Sequence, residues 1–120
     1  MNTRLLVLIP GLALVIAACQ GAERSGNIQD GPGGPDAIGL VAVDNAFQPE
    51  TLELQSGTNV TVQITNDGEA THDFSIDDLD LSTGPMQPGA VMTAEFTVPE
   101  GTTTYRCTIH PGMDGEIVAR

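Results

Sequence analysis

The sequence predicts an all-β domain, a sandwich or small barrel, and three observations carry that expectation. Apolar and polar residues alternate with period two in several short segments after residue 38. Turn-forming clusters separate those segments at short intervals. No stretch in the same region repeats its apolar residues with the 3.6-residue period of an amphipathic helix. Alternation sends one face of a strand into the core and the other into water, and several short strands so spaced close into a sandwich or barrel.

The first 18 residues stand apart from that domain. Met1-Asn2-Thr3-Arg4 is a short basic start, and Leu5 to Ala18 is almost wholly apolar, ending on small residues before Cys19. This is the pattern of a cleaved secretory signal. The apolar run is short of the roughly 20 residues a membrane span needs. Ile16-Ala17-Ala18-Cys19 resembles the lipobox of bacterial lipoproteins, which implies cleavage before Cys19 and a lipid on its sulfur. The expected location is outside the cytoplasm, with the membrane contacted only through that lipid.

From residue 19 to residue 38 the composition turns to Gly, Pro and polar residues, including Gly31-Pro32-Gly33-Gly34-Pro35, with Ile28 and Ile38 the only large apolar side chains. Such a segment buries too little surface to fold by itself and reads as a flexible tether with a reach of about 25 Å. The domain is then expected over residues 39–120. Within it Leu52 and Leu54 alternate with polar neighbours. Val60, Val62 and Ile64 oppose Thr61, Gln63 and Thr65, and Met92, Ala94, Phe96 and Val98 oppose Thr93, Glu95 and Thr97. Gln55-Ser56-Gly57-Thr58, Asn66-Asp67-Gly68 and Pro99-Glu100-Gly101 are the turns between them.

Charge narrows the choice of partner. There are 16 acids against 4 bases and no Lys, for a formal charge of −12. Loss of Arg4 with the signal leaves three bases and a charge near −13. Nucleic acids and anionic lipid surfaces are poor partners for such a chain, and a basic protein surface suits it. Cysteine usage points the same way as the termini. With Cys19 acylated, Cys107 is a lone thiol in an oxidising compartment, and a metal is the simplest group to protect it.

The chemistry gathers near the C-terminus, in Tyr105-Arg106-Cys107-Thr108-Ile109-His110-Pro111-Gly112-Met113. A thiol, an imidazole and a thioether follow one another at three-residue intervals, and Pro111-Gly112 supplies a turn that can bring Met113 back. The only other histidine is His72, in Thr71-His72-Asp73-Phe74-Ser75-Ile76, where alternation places His72, Phe74 and Ile76 on one inward face. Tyr105 and Cys107 share a face on the strand entering the loop. Two imidazoles, a thiolate and a weak thioether make the donor set of blue-copper electron-transfer sites. The expected ligands of one copper ion, Cu(I) or Cu(II), are therefore His72, Cys107, His110 and Met113. Taken singly each has an ordinary explanation: a core histidine, a buried thiol, a packing methionine. It is their conjunction that is specific.

On these residues, together with Phe47-Gln48-Pro49, Leu52-Glu53-Leu54, Gly57 and Val60 to Asn66, the region Asp44–Ala119 resembles the cupredoxins, in particular the plastocyanin and amicyanin branch. The resemblance implies an eight-stranded Greek-key sandwich, a single copper and one-electron transfer, with His110 in the position of the family's surface electron port. It also implies that the backbone N–H of Asp73 donates to the Cys107 sulfur. That branch commonly has Asn at this position. Asp73 departs from the pattern but can join the two ligand loops by accepting from Thr108, supporting the site from behind its ligands.

A copper chaperone or scavenger would use similar ligands, with Met86 and Met92 as extra soft donors. An enzyme fits less well, because four protein donors leave no open position on the metal and no histidine remains for a second site. Zinc rarely takes a Met ligand. A ligand-free, partner-binding cupredoxin-like domain would have lost donors that this chain retains. The expectation is a monomeric electron carrier that docks on a redox protein with a basic surface.

Overall fold

The computed structural model describes residues 26–120, and the signal segment and Cys19 lie outside the described residues. Ten strands and one 3-10 turn are found among the described residues. The strands are β1 (Gly26–Asp30), β2 (Ile38–Val43), β3 (Ala46–Gln48), β4 (Thr51–Leu54), β5 (Asn59–Asn66), β6 (Ser75–Ile76), β7 (Leu81–Ser82), β8 (Val91–Thr97), β9 (Gly101–Arg106) and β10 (Asp114–Ala119). They form two five-stranded sheets, ordered β1-β8-β5-β2-β3 and β4-β10-β9-β6-β7. The expected β-sandwich is present, with ten strands rather than about eight.

Alternation decides which side chains meet between the sheets. Val62 and Ile64 of β5 and Ala94 and Phe96 of β8 are buried as their period requires. From the other sheet Leu52, Ile76, Tyr105 and Ile117 close the core, with Phe74 just before β6. Phe47 stands edge-on to both Phe74 and Tyr105, with ring centroids 6.1 and 5.2 Å away, in the arrangement that aromatic quadrupoles favour. The Tyr105 hydroxyl lies 2.9 Å from the carbonyls of both Pro49 and Glu50, so its polar end is satisfied in the core. Burial, with the negative charge of Glu50 next, pushes this hydroxyl well above the ordinary phenol range.

The tether expected over residues 19–38 is corrected in its second half. Gly26–Asp30 is a strand, antiparallel to β8 in the register Gly26↔Phe96 to Asp30↔Met92. The segment after it folds over the outer face of the same sheet: Thr93 donates to the Gly31 carbonyl at 2.7 Å, and Gly33 N–H donates to Gln63 at 3.0 Å. Thr93 is buried for that reason, although alternation puts it on the solvent side. The segment has too few apolar residues to fold alone. It folds because β8 offers an open row of backbone donors and acceptors.

Strand ends place the loops. β5 ends opposite the end of β2, where Ala42 pairs with Asn66, and Thr65 pairs with Val91 at the start of β8. In the other sheet Ser75 pairs with Arg106, which also pairs with Asp114. The segments 44–45, 67–74, 83–90 and 107–113 therefore share one end of the sandwich.

Candidate metal centre

At that end, two segments bring the predicted donors together. His72 lies between β5 and β6, and its backbone forms a two-way bridge with Met86: His72 N–H to the Met86 carbonyl at 3.1 Å, and the reverse at 2.7 Å. Cys107, His110 and Met113 lie on the β9–β10 loop. Cys107 N–H donates to the Met113 carbonyl at 2.9 Å and Met113 N–H to the His110 carbonyl at 3.3 Å, so the loop is closed on itself. Gly112 makes the turn at φ +81°, a left-handed conformation that glycine adopts without steric cost.

The Cys107 sulfur sits 3.9 Å from His72 Nδ1 and 3.7 Å from His110 Nδ1. One donor atom from each of the three lies within 4.8 Å of the others. Donors sharing one ion at about 2.0–2.3 Å each stand roughly 3–4 Å apart, so this spacing fits a single metal. His72, Cys107 and Met113 are 1%, 4% and 1% exposed, while His110 is half-buried. The site is thus closed on the protein side and reaches solvent at His110.

A second set of contacts holds the donors. Asp73 N–H donates to the Cys107 sulfur at 3.4 Å. The Asp73 carboxylate accepts from the Thr108 amide at 2.5 Å and from its hydroxyl, so the two donor-bearing segments are joined. Two supporting residues escaped the sequence reading. Fully buried Asn66 donates to the carbonyls of Ala70 and Met86 at 2.9 and 2.8 Å and accepts from Gly68 N–H, which fixes the loop leading to His72. Its sequence signals were membership of the turn cluster Asn66-Asp67-Gly68 and the end of the Val60 to Asn66 stretch, neither of which marks a support for His72. The other is Asp44, between β2 and β3, whose carboxylate lies 3.3 Å from His72 Nε2. Hydrogen bonding from His72, then from the Ala70 amide, holds the Asp44 carboxyl below its ordinary range.

Met86 and Met92 do not add exposed donors. Met86 is fully buried beside His72, and Met92 is a half-buried residue of β8.

At one end of this two-sheet sandwich a buried thiol stands between two imidazoles, a group that could hold one metal ion. The chain belongs to the cupredoxin-like domain family, whose model matches residues 9–119. Its fold is also that of solved structures with low sequence identity. A reduced amicyanin variant superposes with a TM-score of 0.66 at 20% identity, covering 80% of this chain and 99% of that one. The Cu(I) form of another amicyanin variant gives 0.66 at 21%, with the same coverage. Dithionite-reduced auracyanin from the photosynthetic bacterium Roseiflexus castenholzii gives 0.60 at 20%, covering 73% of this chain and 99% of that one.

Proposed function

We propose that the protein is a one-electron carrier whose redox centre is one copper ion held by His72, Cys107, His110 and Met113. The observation that carries this reading is the Cys107 sulfur, buried and flanked by two imidazole nitrogens within 4 Å. Bound copper would supply the Cu(I)/Cu(II) couple. The thiolate and thioether favour the reduced ion, and the imidazoles suit both states. The protein's part is to hold the donors still: Asp73, Thr108 and Asn66 fix the two segments, so little rearrangement accompanies a change of charge.

Burial supports a carrier over a chaperone. A chaperone must hand its ion to an incoming ligand, whereas His72, Cys107 and Met113 are closed to solvent. With Met113 as the fourth donor beside the three that converge, the ion would have no open position for a substrate, which speaks against an enzyme. Electrons would pass through His110. Ile109, 42% exposed, is the only large apolar residue so exposed among the described residues, and it adjoins that histidine. The described residues contain two basic side chains, Arg106 and Arg120, and each is paired with an acid. An acidic surface with a small apolar centre suits brief docking on a basic redox protein, the carrier acting as a monomer. Cleavage of residues 1–18 and lipidation of Cys19 would place it outside the cytoplasm. Among the described residues no helix is long and apolar enough to cross a membrane.

The test is direct. Cu(II) added to the purified soluble domain should produce an intense visible thiolate-to-copper band. A colourless or weakly absorbing product would overturn the reading.

A further inference from the structure

His72 offers only one of its nitrogens to the metal centre. Nδ1 faces the Cys107 sulfur, and Nε2 faces Asp44 Oδ1 at 3.3 Å. That same oxygen accepts from Glu69 N–H at 3.0 Å and from Ala70 N–H at 3.3 Å. The β2–β3 turn thus reaches across to the loop before His72 and gathers three donors on one carboxylate oxygen.

The packing leaves room for this contact and for little else. A Cβ at Gly68 would stand 2.5 Å from Asp44 Oδ1 and 2.9 Å from His72 Nε2. No real side chain fits so close, so glycine at 68 lets the loop pass directly over the carboxylate–imidazole pair. The approach of these two groups is therefore built by three places in the chain: the turn at 44–45, the glycine at 68 and the histidine at 72.

We propose that Asp44 is a positioning and potential-setting residue for the centre, an inference that rests on the copper reading above. Its carboxylate fixes His72 as the Nε2–H tautomer, which leaves Nδ1 free to bind the metal. It also places a negative charge one imidazole away from the ion. A nearby negative charge stabilises Cu(II) over Cu(I), so Asp44 lowers the reduction potential. About half of the Asp44 side chain meets solvent (48%), and screening keeps the effect smaller than that of a buried carboxylate.

Two substitutions separate orientation from charge. Asp44→Asn keeps an oxygen that can accept from His72, Glu69 and Ala70 but removes the charge. Asp44→Ala removes both. In the metal-free protein, long-range 1H–15N correlation at alkaline pH should report His72 as the Nε2–H tautomer in the parent and in Asp44→Asn, and as a tautomer mixture in Asp44→Ala. In the copper-loaded protein, Asp44→Asn should keep the parent's visible band while shifting the Cu(II)/Cu(I) equilibrium toward Cu(I) by roughly three- to tenfold. The upper end corresponds to ~59 mV for a one-electron couple. A potential in Asp44→Asn equal to or below that of the parent overturns the charge role. An unchanged tautomer in Asp44→Ala overturns the orienting role, and that reading needs no metal. Absence of the visible band in the parent would instead overturn the copper reading.

Discussion

Asp73 accepts from both the amide and the hydroxyl of Thr108, so the residue after His72 is tied to the residue after Cys107. The pair joins two segments 35 residues apart at a point where each carries a proposed metal donor. A charge-assisted hydrogen bond of this kind contributes about 1.5–3 kcal/mol. Thr108→Val, which removes the hydroxyl but leaves the amide, should lower unfolding stability by about 1–3 kcal/mol in urea titrations. An unchanged midpoint would mean that the hydroxyl contact is not held in solution.

The same carboxylate bears on the copper couple. Asp73→Asn preserves an acceptor for Thr108 and removes a negative charge beside the sulfur. The potential should rise relative to the parent, as measured by voltammetry. A fall, or no change, would overturn the idea that the charge at 73 lowers the potential.

The donors themselves should behave unequally. Cys107→Ser should abolish the visible band altogether, because the transition belongs to the thiolate. Met113→Leu should keep an intense band and move the potential, since in the proposed centre the thioether would be the weakest of the four donors. Equal loss in both variants would place Met113 among the strong ligands.

How far the site could be read from sequence depends on how local its parts are. Cys107, His110 and Met113 announce themselves by three-residue spacing, and His72 by being the only other histidine, on an inward strand face. Asp73 was legible through a family resemblance. Asp44 was not, because it meets His72 only through the parallel pairing of β2 with β5, which no neighbouring residue signals. β1 was hidden for a related reason. Its sequence, Gly26-Asn27-Ile28-Gln29-Asp30, shows no alternation of large apolar side chains, and what holds it is a backbone ladder to β8. The sandwich was visible because the strands that build its core alternate, whereas its edge does not.

Beneath the metal centre, the ring of Tyr105 occupies the space that a side chain at its cross-strand partner Gly115 would fill. Gly115→Ala would drive a methyl group into that ring and displace it from Phe47 and Phe74. Overpacking of this kind costs about 1–3 kcal/mol, and thermal unfolding should shift down accordingly. A parent-like midpoint would mean that the ring can move aside without disturbing its neighbours.

The Tyr105 hydroxyl predicts a pH dependence. Its pKa in the fold lies above the unfolded value of about 10, so the stability it contributes is fully present below pH ~10 and is lost as pH rises beyond that. Tyr105→Phe should be less stable than the parent at neutral pH by about 1 kcal/mol. The gap should narrow above pH 10, because only the parent's unfolded state gains from ionising this phenol. A gap that stays constant to pH 11.5 would contradict the assignment.

Docking on a basic redox partner should be steered by charge. The bimolecular rate of electron transfer should fall as ionic strength rises from 0.01 to 0.1 M, over which the screening length shrinks from about 30 to about 10 Å. A rate indifferent to salt would assign docking to the apolar patch around Ile109 alone.

The two parallel pairings, β2 with β5 and β4 with β10, have a consequence for how the protein comes into being. Contacts so distant along the chain form late and slowly, because long loops must close before they are rewarded. His72 and Cys107 come together only once β6 has paired with β9, which joins Ser75 to Arg106. Until then Cys107 is an open thiol, and an oxidant can reach it before any ion does. The time the chain spends folding is therefore its period of greatest chemical risk. A molecule that has taken up metal is, by that fact, one that has already passed through it.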